Sequence, residues 1–256
     1  MSEHRVYRNP PIEEALCEFH FKPRQDWDLT IPGKFHVELG DGYGGKPQEQ
    51  RVVGIALNQQ GEQPANLNLN EGLARVQLLN EDGNRMVAIG QNVLSVHMLR
   101  PYHDPNREDG GGWQEFKARI NEALGAYWNV VRPEGVIRVG VRYINKIVLP
   151  QSAAKVESYL NCALPVVAGF PSRLSNYMSR VEYVYDDEVR LVLSQGTTRD
   201  PQDPMRLLLD LDVIWQSSDI VTLQSALEKA EMLRMREQAA FEAAITDSSR
   251  ELFDEC

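Results

Sequence analysis

Residues 14–22 (EALCEFHFK) alternate between small or aromatic apolar residues and a second, more polar set, and the apolar positions are Ala15, Cys17, Phe19 and Phe21. A period of two is typical of a β-strand with one buried face. Asn9-Pro10-Pro11 stands just before this stretch and disfavours helical geometry, because proline fixes φ and lacks a backbone donor. The pattern predicts a first strand entered from an extended segment.

Further strands are predicted from runs rich in β-branched residues at 51–57, 73–79, 85–99, 136–149, 174–185, 188–195 and 205–216. The sequence NEDGN at 80–84 carries hairpin turn chemistry, so we expect a meander in the first half of the chain. Asp186-Asp187 predicts a second hairpin between residues 174–185 and 188–195.

Two long helices are predicted from three- and four-residue spacing. The first spans residues 113–131, where the apolar stripe is Trp113, Phe116, Ile120, Leu124, Tyr127 and Val131. The second spans residues 221–245, with N-cap oxygens expected from Ser217, Ser218 and Asp219. Residues 31–39 and 153–161 are candidates for short helices.

Eight strands and two long helices in this order predict an α+β fold with a largely antiparallel sheet. A boundary near residues 150–154 would divide the chain into two related halves, 1–150 and 151–256. A single continuous domain is the alternative.

Charge changes the picture of possible partners. The chain has 256 residues, of which 42% are hydrophobic and 25% charged, and a formal net charge of −10. An acidic chain lacks a general surface for phosphate backbones, so extensive nucleic-acid binding is not expected, whereas a basic protein partner would be attracted. With neither an apolar signal core nor a long apolar run, we expect a cytoplasmic protein without membrane spans.

Covalent catalysis has no clear candidate in the sequence. Cys17, Cys162 and Cys256 are widely spaced, which argues against a disulfide framework or a cysteine zinc site, and Cys17 is expected in the core. No serine stands in a Gly-x-Ser-x-Gly turn. A loop flanked by His97 and His103, with Asp104 and Asp109, matches no metal-ligand spacing.

Polar residues on strands are the candidate ligand site. If their faces converge, carboxylates could hold Mg²⁺ while arginines bind phosphate; the candidates are Glu18, Arg138, Arg142, Glu182, Asp210 and Asp212. The first strand is similar to the Glu-x-Glu-x-Lys strand of triphosphate tunnel enzymes, although His20 replaces the middle acid. The alternative is that these residues form the solvated faces of antiparallel strands, without any cofactor.

Three segments carry a resemblance to a known family. These are Asn9-Pro10-Pro11-Ile12 with Ala15 and Cys17-Glu18, the central strand Arg142-Tyr143-Ile144-Asn145, and the terminal stretch at residues 241–247. They resemble a sporadically distributed bacterial family of unassigned function. The resemblance implies a shared fold along nearly the whole chain and a bacterial origin, and it implies no reaction, cofactor or catalytic residue.

Three hypotheses about function follow. The first is a non-enzymatic cytoplasmic subunit or modulator that binds a protein, in a bacterial accessory or defence-type locus. The second is a metal-assisted enzyme or sensor that acts on a phosphorylated small molecule or nucleotide. The third is a homo-oligomeric structural protein, in which residues 223–241 pack between subunits.

Overall fold

The structure is a computed structural model of the chain. It describes residues 5, 7–23, 27–58, 66–102, 111–150, 155–164, 167, 169–170, 176–198 and 206–254, and for residues 51–58, 66–74 and 198 it describes the backbone alone. The predicted histidine and aspartate cluster at residues 103–109 lies outside the described residues, as do Cys256 and the predicted boundary at residues 151–154.

The described residues form nine strands and four α-helices, which confirms the α+β prediction. All nine strands belong to one sheet in the order β2-β3-β4-β5-β1-β6-β9-β8-β7. Every pairing between them is antiparallel. The strands are β1 (Ile12–Phe21), β2 (Gln48–Asn58), β3 (Asn66–Leu79), β4 (Arg85–Gly90), β5 (Val93–Leu99), β6 (Val136–Val148), β7 (Met178–Val184), β8 (Val189–Thr198) and β9 (Arg206–Val221).

The helices cover one face of this sheet. They are α1 (Ile31–Leu39), α2 (Gly112–Val131), α3 (Leu223–Ala244) and α4 (Asp247–Phe253). Apolar side chains from alternate strand positions fill the layer between sheet and helices, as period-two alternation requires. On β1, for example, Phe21 is buried and its ring stacks on that of Tyr127 from α2, with centroids 4.2 Å apart. The opposite face of the sheet has no helix packed on it among the described residues.

Two of the predicted elements are wrong in detail. Residues 85–99 form two strands, β4 and β5, because the chain turns at Gln91-Asn92 and pairs with itself. The predicted cap residues Ser217, Ser218 and Asp219 lie inside β9, and Thr222 caps α3 instead, since its hydroxyl accepts a hydrogen bond from the Ser225 N–H. Strand β9 continues to Val221, which pairs with Val136, so the strand includes the first residue of the predicted helix and α3 begins at Leu223.

The two halves of the sequence share the sheet. Strand β6 from the first half pairs with β9 from the second, from Val136 to Val148. The apolar stripe of α3 packs on these two strands, with Ala226, Ala230 and Leu233 buried against them. Residues 223–241, which the third hypothesis placed between subunits, thus pack their apolar side on the sheet of the same chain.

Candidate functional site

The face of the sheet opposite the helices carries charged side chains on its central strands. Because Cys17 and Phe19 point into the core, Glu18 between them points to the other face. The same alternation on β6 buries Val141 and turns Arg142 outward. The register then places the outward positions of neighbouring strands next to one another, which brings several charges together.

Glu18 is the centre of this arrangement. Its Oε1 lies 2.7 Å from Arg138 Nη1 and 2.6 Å from His20 Nε2, and its Oε2 accepts a hydrogen bond of 2.8 Å from Arg75 Nη1. Burial opposes ionisation of Glu18, but the hydrogen bonds and charges of His20 and Arg75 outweigh it and hold the pKa of the carboxyl well below its usual range. Glu18 is therefore a fixed anion that holds two guanidinium groups.

Arg75 shows that the polar face is concave. It lies on β3, and both β4 and β5 separate β3 from β1 in the sheet. In a flat sheet the three steps between β3 and β1 would span about 14 Å, at about 4.8 Å per step. The 2.8 Å contact between Arg75 and Glu18, together with a single depression lined by residues from β2 to β9, indicates that the sheet curls toward its polar face.

Arg142 and two aspartates form a second group beside Glu18. Arg142 donates two hydrogen bonds to Asp210, from Nε at 2.7 Å and Nη2 at 2.6 Å. This bidentate geometry raises the pKa of the Arg142 guanidinium. In the strand register, however, Arg142 stands opposite Asp212, whose carboxyl makes no hydrogen bond to the described residues.

Asp212 is the acidic residue of the site whose carboxyl has no hydrogen-bond partner among the described residues. Burial raises its pKa from the usual 3.8 to about 6, and the charges of Asp210 and Glu18 add to this effect. Arg138 and Arg142 oppose the shift without cancelling it. The carboxyl of Asp212 is thus close to its titration point at neutral pH and has lone pairs to offer.

A hydrogen-bonded pair of His97 on β5 and Glu14 on β1 completes the polar face on the β5 side of β1. His97 Nδ1 lies 2.6 Å from Glu14 Oε1, and His97 Nε2 lies 2.8 Å from the hydroxyl oxygen of Ser95. The hydrogen bond from His97 holds the pKa of Glu14 below its ordinary value, against the effect of burial. His97 lies on β5, within the predicted strand at residues 85–99, and its partner Glu14 lies on β1.

These groups surround a depression of about 460 Å³ in the concave face. Gly140 lies in its floor, and a Cβ at this position would come within 3.6 Å of Asp212 Oδ1 and 3.7 Å of Arg138 Nη2. The missing side chain keeps the space between those groups open. We call this the polar-face depression; its lining residues are Glu14, Leu16, Glu18, Gln50, Arg75, Gln77, Met86, His97, Arg138, Gly140, Arg142, Ile144 and Asp212.

Five of the six residues predicted for a ligand site meet here. Glu18, Arg138, Arg142 and Asp212 line the depression, and Asp210 binds Arg142 at its border. Glu182 shares the polar face but lies on the edge strand β7, two strands away from Asp212, where its nearest cation is Arg190 at 3.7 Å.

Three lining residues, Arg75, His97 and Glu14, were not among the predicted site residues. The sequence holds a partial signal for Arg75 and Glu14, since both alternate with core-facing residues of their strands. That signal shows which face each residue occupies. It does not give the order of strands in the sheet, which decides whether Arg75 and Glu18 can touch.

The donors do not form a preassembled metal cage. Within the described parts of the chain, no group of three or more histidine, cysteine, aspartate or glutamate residues is placed to hold a metal ion. Arginines bind Glu18 and Asp210, and His97 binds Glu14, which leaves Asp212 as the carboxylate of the site without a hydrogen-bond partner among the described residues.

The thiols of Cys17 and Cys162 are not placed for catalysis. Cys17 is fully buried, as predicted, and burial raises its pKa strongly. Cys162 is half-buried, and burial raises the pKa of its thiol as well. Thiolates are the reactive form, so neither environment favours nucleophilic attack.

Comparisons with known proteins add little. No protein family model matches the chain, and no curated protein matches it. Among solved structures, it is similar to the S. pombe Pct1 RNA triphosphatase in complex with the Spt5 CTD, at 9% identity over 90% of this chain and 81% of that chain, with a TM-score of 0.15. A similarity at this level carries no argument. Across the described residues, no helix is long and apolar enough to cross a membrane.

Proposed function

We propose that the protein binds a phosphorylated small molecule in the polar-face depression. The observation that supports this proposal is the pair of guanidinium groups, Arg75 and Arg138, held by the single carboxylate of Glu18 at the depression wall. Arginine binds phosphate oxygens through two parallel N–H groups, and its orientation is fixed here before any ligand arrives.

The charge immediately around Glu18 favours an anion, whereas the rest of the depression is balanced by Glu14, Asp212 and the Arg142–Asp210 pair. One carboxylate faces two permanent cations, so the Glu18 group has a surplus of one positive charge even without His20. The three groups are mostly shielded from water, with 17% to 23% of each side chain exposed. Reduced exposure weakens solvent screening and strengthens the attraction for a phosphate.

A divalent cation fits this proposal as part of the ligand. Mg²⁺ in proteins is commonly held by one or two carboxylates together with the phosphates of a substrate. Asp212 supplies one such carboxylate, next to Arg138 and Arg142. Magnesium would accordingly enter with the phosphate, since the donors among the described residues do not form a metal site of their own.

A thermal-shift series tests the proposal. The purified protein is heated with inorganic phosphate, pyrophosphate, triphosphate, ATP and GTP, each with Mg²⁺ and with EDTA, because a ligand specific to the folded state raises the melting temperature. We expect a dose-dependent rise with at least one of these compounds. The rise should disappear in Arg138→Ala and persist in Arg190→Ala, an arginine on the same face outside the depression. No rise with any compound, or an equal rise in Arg138→Ala, would contradict the proposal.

A second candidate function, protein binding, is favoured by the edge strand β7. Its residues Met178 and Val184 are 84% and 79% exposed, and Val181 and Tyr183 on its other side are also exposed. A sheet edge with apolar side chains is a template for an added strand from another chain. The net charge of −10 opposes a second copy and favours a basic protein as the partner.

The double variant Met178→Lys/Val184→Lys tests this second candidate. Wild-type protein immobilised on resin should retain a basic protein from a bacterial extract, and the double variant should lose it because like charges repel and the apolar contact is gone. Leu29→Lys is the matched control, since Leu29 is an exposed apolar residue on another part of the surface. Equal retention by wild type and double variant would contradict the role of β7.

A further inference from the structure

A second cavity lies on the helix side of the sheet, between the N-terminal segment, the start of α2 and the middle of α3. Its volume is about 450 Å³, which is within the range of small-molecule sites. Aromatic rings form much of its wall; they belong to Tyr7, Tyr102, Trp113, Tyr143 and Phe241. Because β6 separates the two cavities, with Arg142 on one side and Tyr143 on the other, this site is distinct from the polar-face depression.

A buried ion pair forms the polar part of this cavity. Glu237 is only 2% exposed, and its Oε2 accepts a hydrogen bond from Arg234 one turn earlier on α3. The Arg234 guanidinium also lies over the ring of Tyr143, 4.5 Å from its centroid. Replacing a buried ion pair by apolar residues of similar volume is often neutral or stabilising, so stability alone does not account for this pair beside an open cavity.

Several polar groups near the ion pair are hydrogen-bonded within the protein. The hydroxyls of Tyr102 and Tyr143 bond to each other at 2.7 Å. The Asn145 amide nitrogen bonds to the backbone oxygens of Tyr143 and Leu209. Glu237 Oε1, by contrast, has no hydrogen-bond partner among the described residues, and Arg234 has N–H groups beyond the one that it donates to Glu237 Oε2. The cavity therefore offers an acceptor next to a donor, enclosed by aromatic rings.

We infer that this cavity binds a purine base. A purine is planar, so it can stack on the aromatic walls, and one edge presents an N–H donor next to an acceptor. The donor would bond to Glu237 Oε1 and the acceptor to Arg234. Apolar walls with a few converging polar groups are the usual composition of a small-molecule site.

Isothermal titration calorimetry with guanosine and adenosine tests the inference on the full chain. We expect saturable binding of at least one nucleoside, weakened tenfold or more in Glu237→Gln. In that variant the amide oxygen will turn toward Arg234, and the amide N–H groups will face the cavity, which replaces an acceptor by a donor. Glu228→Gln is the matched control, because Glu228 lies on the exposed side of the same helix.

Trp113→Leu provides a second variant that leaves the ion pair intact and removes one aromatic wall. It should also weaken binding, and it decides the question alone if Glu237→Gln does not fold. Failure of both nucleosides to bind at millimolar concentration would overturn the inference. Unchanged affinity in the folded variants would do so as well, as would equally tight binding of indole, which lacks the acceptor.

Discussion

Arg75 Nη1 and Glu18 Oε2 lie 2.8 Å apart, although β4 and β5 separate the strands that carry them. The contact closes the concave side of the sheet around the polar-face depression. Glu18 also binds Arg138 on the adjacent strand β6, so one carboxylate links distant parts of the sheet. The pair thus has a structural role in the curvature as well as the proposed role in ligand binding.

Removal of the Glu18 charge will destabilise the protein. In Glu18→Gln, the Arg75 and Arg138 guanidiniums lose their shared counter-charge, at a cost of about 3 kcal/mol for a mostly buried pair. The folded-state pKa of Glu18 is depressed, so its contribution is present at neutral pH and is lost as pH falls below the ordinary carboxyl range. Urea unfolding at pH 7 and pH 3 should show a large gap between wild type and variant that narrows in acid. An unchanged gap would contradict the assignment of Glu18 as the ionised centre.

Asp212→Asn will stabilise the protein at neutral pH, in contrast to Glu18→Gln. The folded-state pKa of Asp212 is raised to about 6, so the folded protein binds this proton more tightly than the unfolded chain does. The stabilisation is full in acid and is lost as pH rises from about 4 to 6. Asparagine does not ionise, so the variant avoids this loss of stability, which is at most about 3 kcal/mol for a shift of two pKa units.

Melting temperatures across pH 4 to 8 check this prediction for Asp212. The variant should match wild type near pH 4 and melt several degrees higher at pH 7.5, at about 2 to 4 °C per kcal/mol for a domain of this size. Asp186→Asn, in the exposed turn after β7, is the control and should show no such trend. A variant less stable than wild type at pH 7.5 would contradict the burial of an ionised Asp212.

Local patterns were sufficient to predict much of the fold. The apolar spacing of residues 113–131 predicted α2 to within one residue, and the alternation in residues 14–22 predicted which face of β1 carries Glu18. The predicted strand at 85–99 was wrong because Gln91-Asn92 lacks the glycine that usually marks a tight hairpin turn. The Arg75–Glu18 contact lay beyond prediction, since it depends on strand order and curvature, which arise from packing between distant segments.

The cap of α3 gives a local test of the corrected helix start. Thr222→Ala removes the hydroxyl that accepts from the Ser225 N–H at 3.3 Å and should cost about 1 kcal/mol. Ser218→Ala should have little effect, because Ser218 is an exposed residue within β9. Chemical denaturation of the two variants compares them directly. A larger loss of stability in Ser218→Ala than in Thr222→Ala would instead support the cap position that the sequence predicted.

Gly140→Val tests ligand binding in the depression separately from the stability of the fold. A first side-chain carbon at this position meets its neighbours at ordinary contact distances, and valine is favoured in strands over glycine. The variant should therefore fold, while the two methyl groups of valine extend beyond this first carbon into the depression. A strong loss of stability would indicate that the depression is narrower than described.

The most direct test of the central proposal is a calorimetric titration of phosphate, pyrophosphate, triphosphate, ATP and GTP, each with Mg²⁺, into wild type, and of the compound that binds most tightly into Gly140→Val and Arg190→Ala. Binding to wild type and to Arg190→Ala, together with at least tenfold weaker binding to folded Gly140→Val, is the predicted result. It would assign the anion to the polar-face depression, since Gly140 lies in its floor and Arg190 lies outside it. Binding that Gly140→Val leaves unchanged, or no binding to wild type, would contradict the account.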